Sequence, residues 1–173
     1  DVLNGNFCSP QLVSRYLAPT SQLNWRGIAL LPAIPAVTER IGLAGTVNST
    51  FNEPLDVARK LASLDHLSGG RAAWNVVTSW DEFTGENFRR GGYLPQGERY
   101  TRAQQFLQVA TELWDSWNDD DVVADKASGR FLARPDVGSF SHTDFQFDIA
   151  GQFPVPRSPQ GLSLIHISEP TRP

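Results

Sequence analysis

The sequence predicts an α/β fold built around a parallel sheet. Two short apolar runs, each patterned like a strand buried on both faces, and the helix between them carry that prediction. The runs are residues 41–47 (IGLAGTV) and 71–79 (RAAWNVVTS). Strand, helix and strand within about forty residues make a right-handed crossover unit. A long amphipathic helix downstream supplies a further layer.

Taken in order, residues 1–19 are irregular, punctuated by Gly5, Pro10 and Pro19. Residues 28–40 read as a helix bent or entered around Pro32 and Pro35. After the first strand, Asn52 is a plausible N-cap, with Glu53 and Pro54 in the first turn. Leu55, Ala58, Leu61, Ala62 and Asp65 follow at helical spacing, and Gly69-Gly70 stops the helix. Residues 80–97 are polar and glycine-rich without a clear period, a loop long enough to suggest function. From Tyr100 to Trp117, Ala103, Phe106, Leu107, Ala110, Leu113 and Trp114 recur on one helical face. Arg102, Gln104, Gln105, Gln108 and Glu112 occupy the other. Residues 118–121 (NDDD) read as a solvated acidic turn without metal-loop spacing. Residues 139–153 alternate loosely and suggest a hairpin inserted outside the main repeat, and residues 154–160 an extended connector.

Composition narrows the class. The chain has 173 residues, 40% of them hydrophobic and 20% charged, with a net charge of -4. That is ordinary globular composition, without the basic excess that nucleic-acid binding needs. The longest apolar run, residues 28–37, is about half of a bilayer span and holds two prolines. The single cysteine, Cys8, excludes an intrachain disulfide. A cytoplasmic enzyme with no nucleic-acid or membrane partner is expected.

No Walker loop, GxGxxG, GxSxG, CxxC or histidine pair at metal spacing is present, so no metal is expected. The residues alone therefore give a location rather than a reaction. In parallel α/β folds the site gathers at the carboxyl ends of the strands. Here those ends are residues 46–48 and 77–79, with the loop that follows.

Longer blocks are more specific. Residues 41–54 (IGLAGTVNSTFNEP), Ala58-Arg59 and residues 62–79 (ASLDHLSGGRAAWNVVTS) resemble the bacterial-luciferase-like flavin monooxygenases, in the nitrilotriacetate and dibenzothiophene-sulfone monooxygenase branch. Asn87-Phe88, residues 98–100 (ERY), 113–117 (LWDSW), Asp125-Lys126 and 156–161 (PRSPQG) follow in that family's order. The resemblance runs from Asp1 to about Gly161.

It implies a partial (β/α)8 TIM barrel with a family insertion, truncated at both ends, over residues 1–161. It also implies a monooxygenase working with reduced FMN, supplied by a separate NAD(P)H-dependent flavin reductase. One oxygen of O2 would enter a small organic substrate through a flavin 4a-hydroperoxide. A homo-oligomer is expected for the full-length protein. Carried over by position, the cofactor contacts fall on Asp1, Thr46, Gln96 and Tyr100. Gln96 stands where some relatives have a histidine, and an amide cannot carry a proton near neutral pH. Trp80 replaces a histidine of alkane-oxidising relatives, which suggests a flat or aromatic substrate instead. No catalytic base is assigned. Asn75 is expected to point into the barrel, and His66 to serve a helix C-terminus. Two alternatives stay open: a deazaflavin-dependent oxidoreductase of the same superfamily, and a non-catalytic flavin-binding protein.

Residues 164–172 resemble translated adaptor read-through, so residues 162–173 are expected to be a non-native tail. A diverged fifth strand is the alternative.

Overall fold

The computed structural model describes residues 27–78, 88, 94–161 and 164–167. Its centre is a three-stranded parallel sheet in the order β1-β2-β7, with β1 Leu43–Asn48, β2 Ala72–Val77 and β7 Leu164–Ile167. The expected crossover is present: α2, Pro54–Ser68, links β1 to the adjacent parallel β2. Four residues of the segment expected to be a tail thus pair as a strand, the geometry of the alternative reading. Among the described residues no helix is long and apolar enough to cross a membrane.

Alternation divides the sheet into two faces. Leu43, Gly45 and Val47 share one face with Ala72, Trp74 and Val76, and the helices pack there. Trp74 is fully buried against Phe106 and Trp114 of α3, Gln96–Asp115, and its indole N–H donates to Val47 O at 3.1 Å. The Trp114 indole donates to Ala58 O of α2 at 3.1 Å, locking the two helices together. Residues 28–40 form less helix than expected. A single turn, α1 (Gly27–Leu30), runs into a 3-10 segment, Leu31–Ala36, that contains both prolines. Proline removes the donor a longer α-helix would use. This turn packs so close that a Cβ on Gly45 would lie 3.0 Å from Ile28 Cδ1.

Asn52 does not cap α2. The flanking residue is Glu53, without a side-chain cap bond, and the Asn52 amide turns back to Asn48 O at 2.8 Å. The stop is as expected: Gly69 takes a left-handed φ of 65°, and Gly70 N–H donates to Asp65 O.

The amino ends of the strands are clamped by the LDHLSGGR block. Arg71 donates to Ser68 O, Thr38 O and Ile41 O. The buried Asp65 carboxylate accepts from Ala72 N–H and from the backbone and side chain of Gln160. Burial pushes its pKa up, but the bonds from Gln160, Ser158 and Ala72 outweigh burial and hold it below the ordinary carboxylate value. His66, at the end of α2, lies 3.0 Å from Pro156 O, so its ring also ties down the connector.

Residues 118–161, which include the hairpin expected to be an insertion, form one segment. It holds two antiparallel hairpins: β3 (Val122–Asp125) with β4 (Arg130–Leu132), and β5 (Ser139–Thr143) with β6 (Asp148–Gln152). The second is the expected hairpin; the first was not foreseen. The acidic turn is only half solvated. Asp119 and Asp120 are exposed, but Asp121 is 2% exposed and takes a two-pronged bond from Arg134, both arms at 3.0 Å. That guanidinium lowers the Asp121 pKa.

Candidate functional site

The second face of the sheet receives no helix among the described residues. Alternation and register put Ala44, Thr46 and Asn48 on it beside Ala73, Asn75 and Val77. Thr46 is exposed and lies opposite Asn75, whose amide donates to the Thr46 hydroxyl at 3.2 Å. That hydroxyl, accepting from the amide, still has its own proton to donate. Toward the amino ends, the same face of β1 and β2 carries Ala44 and Ala73. Asn75 was expected on this face; its partnership with Thr46 was not.

Beyond Thr46 the strand closes into a tight turn. Asn48 Oδ1 accepts Phe51 N–H at 2.9 Å, and Ser49 N–H donates to Val77 O at the end of β2. Phe51 stacks on Phe88, ring centroids 4.8 Å apart and 9° from parallel, so the long loop meets this turn.

Helix α3 begins on the same side. Its Arg102 donates through Nε to Ser49 O at 3.1 Å and through a terminal nitrogen to Asn52 O at 3.2 Å. Two residues earlier, Tyr100 is 38% exposed. It therefore does not belong to the buried stripe that its spacing suggested. Arg99 is the buried residue there, followed by Phe106, Val109, Ala110 and Leu113. Thr46 lies in the carboxyl half of β1 and Tyr100 near the start of α3. Gln96 starts α3, but its side chain, together with Asp1, Cys8 and Trp80, lies outside the described residues.

The polar face of α3 is in part an interface: Gln104 and Gln108 are exposed, but Arg102 and Glu112 meet the hairpin segment. Arg102 sits over the Phe147 ring at 4.5 Å. Glu112 Oε2 is 2.7 Å from His142 Nδ1, and Asp144 Oδ2 is 2.7 Å from His142 Nε2. Each ring nitrogen thus faces a carboxylate oxygen, an arrangement that favours the doubly protonated ring. The bond to Asp144, with that to Glu112, raises its pKa from the ordinary 6.5 against the opposing effect of burial. Sequence reasoning missed both Arg102 and His142. Their only local signal is charge on a helix face or strand that the tertiary structure covers.

Among the described residues no cluster of three or more histidine, cysteine or acidic side chains could hold a metal. Neutral donors at the end of parallel strands suit an uncharged, ring-shaped ligand better than an ion.

Comparison with known proteins agrees with this geometry. The sequence profile of the luciferase-like monooxygenases matches residues 15–154. Nitrilotriacetate monooxygenase component A of Aminobacter aminovorans is 44% identical over 136 residues, 79% of this chain and 30% of that protein. Dibenzothiophene-sulfone monooxygenase of Rhodococcus erythropolis is 43% identical over 143 residues, 80% of this chain and 32% of that one. Among solved structures, a riboflavin lyase crystallised with modified FMN and riboflavin superposes with a TM-score of 0.76 at 30% identity. The match covers 83% of this chain and 32% of the lyase. The chain spans about a third of the length of the curated relatives it matches.

Proposed function

The chain belongs to the luciferase-like monooxygenase family, and on that premise we propose that it forms part of a two-component, FMN-dependent monooxygenase. The full-length protein would be a (β/α)8 barrel and, when assembled, a cytoplasmic homo-oligomer. β1 and β2 would be its third and fourth strands and residues 118–161 its family insertion. A separate NAD(P)H-dependent flavin reductase would supply reduced FMN, and the substrate would be a small organic compound, in keeping with the nitrogen- and sulfur-containing compounds named for the two relatives.

The observation that carries the proposal is the Thr46–Asn75 hydrogen bond on the helix-free face, at the carboxyl end of parallel strands. Reduced FMN, when bound, activates dioxygen so that one atom enters substrate and the other leaves as water. The chain's own residues bind and shield. Asn75 holds the Thr46 hydroxyl, which donates its proton to an acceptor on the ring. The Tyr100 hydroxyl, at the exposed start of α3, reaches the phosphate or ribityl chain, with Gln96 one turn before it. Asp1, carried over by position, would be a further flavin contact. Water has to be kept from the site, since it would otherwise divert activated oxygen to peroxide.

Thr46→Val and Tyr100→Phe in the full-length protein should each weaken FMN binding by about 1–2 kcal/mol, the scale of one buried hydrogen bond. Fluorescence titration with FMN checks this; wild-type curves for both variants would remove these two residues from the site.

A further inference from the structure

We propose that Arg102 is a positioning residue for the site: it fixes the turn of residues 49–53, and with it the strand end that carries Thr46, against the insertion. The consequence for flavin rests on the function proposed above; the mechanical link does not.

The turn needs an outside tie. Ser49 and Thr50 are buried, at 0% and 3% exposure, yet their hydroxyls have no hydrogen-bond partner. The internal bonds of the turn come from Asn48 and Asn52 alone, and Ser49 N–H reaches β2. Of the turn's carbonyls, those of Ser49 and Asn52 accept from α3. Arg102 takes both from a side chain only 14% exposed, with Glu53 Oε1 3.7 Å away. The fork of a guanidinium suits two carbonyls held at a fixed separation, and a lysine ammonium cannot reproduce it.

The second half of the link is aromatic. The Arg102 guanidinium lies 4.5 Å from the centroid of Phe147, which is 5% exposed and packs edge-on against Phe106 of α3 at 5.8 Å. A cation over an aromatic face is attracted to it and loses freedom there. Phe147 is itself set by Asp144, whose carboxylate accepts the Phe147 N–H at 2.7 Å. One side chain therefore joins the β5–β6 hairpin to the turn that follows Thr46. Displacement of the insertion would be felt at the site through Arg102.

The test uses full-length protein carrying Arg102→Lys, Arg102→Met or Phe147→Leu. Three properties are read: amide hydrogen exchange across residues 49–53, FMN affinity by fluorescence titration, and the absorption spectrum of bound flavin. Loss of the two-pronged bond should speed exchange in the turn about tenfold in both Arg102 variants, the equivalent of 1.4 kcal/mol. FMN should bind several-fold more weakly, with its spectrum moved toward that of free FMN. Phe147→Leu should shift all three the same way by a smaller factor, since it removes only the aromatic half. Lower melting temperatures with wild-type exchange, affinity and spectrum would make Arg102 a packing residue and overturn the proposal. If Arg102→Met does not fold, the other two variants decide by the same readings. If wild-type protein retains no FMN, the proposed function fails, while the exchange measurement still decides the role of Arg102.

Discussion

The sheet with its covering helices and the segment of residues 118–161 share an apolar core but differ in how much polar anchoring they need. In the first, α2, α3 and the strands bury Trp74, Phe106, Leu61, Leu113 and Val109 at 0% exposure, and apolar burial does most of the work. In the second, most residues of β3 and β4 are exposed; Val137, Phe147 and Phe153 join the same apolar core, and a few polar anchors fix the rest. Asp121 holds Arg134, His142 bridges Glu112 and Asp144, and the Trp117 indole donates to Phe153 O at 2.8 Å. The apolar unit should respond to lost volume, and the insertion to lost geometry or charge.

The largest expected effect is in the apolar unit. Trp74→Ala should cost about 3–5 kcal/mol by leaving a cavity between sheet and α3. Chemical denaturation would read it, and a cost below that of an exposed-site change would break the distinction between the two regions. Next comes geometry in the insertion. Gly138 has φ 78°, and an added Cβ would press on Phe153 O and lie 2.7 Å from Trp117 Nε1. Gly138→Ala should cost roughly 1–3 kcal/mol and loosen the Trp117–Phe153 bond. Indole fluorescence alongside the melt would detect that loosening; a variant with wild-type stability and emission contradicts it.

The smallest effect is electrostatic. Because the folded pKa of His142 is raised, its contribution to stability is fully present below the ordinary value of 6.5. It is lost as pH rises through the folded value. The Asp144 pKa is lowered: burial alone would raise it, but His142 and the Phe147 and Gln146 amides outweigh burial. Its contribution is present above the ordinary carboxylate value and lost on acidification. The β5–β6 hairpin should therefore hold most firmly in weak acid and loosen as pH rises through the raised pKa of His142, and His142→Gln should flatten that dependence. Hydrogen exchange in β5 and β6 at the two extremes measures it, and identical slopes for wild type and variant would refute the anchor.

The legible part of this protein was the part with a period. Alternation around Trp74 and the three-and-four spacing from Phe106 to Trp114 gave two strands, a helix and their order, because burial on one face leaves a mark every two or three-to-four residues. The family blocks supplied Thr46 and Tyr100. The same spacing misled at Tyr100, which is exposed, and at Asn52, whose amide prefers a turn partner to a helix cap. It was blind to β3 and β4, which are short and exposed on both sides.

The residues by themselves determined a parallel α/β unit with its chemistry at the strand ends, because side-chain periodicity is a short-range consequence of burial. The tertiary structure alone decided that Asn75 holds Thr46 from 29 positions away, that Arg102 reaches Ser49 across 53, and that His142 meets Glu112 across 30. Those are single polar bonds between distant segments. No repeating pattern announces them, and each exists only once the chain has packed its apolar faces and brought the partners within reach.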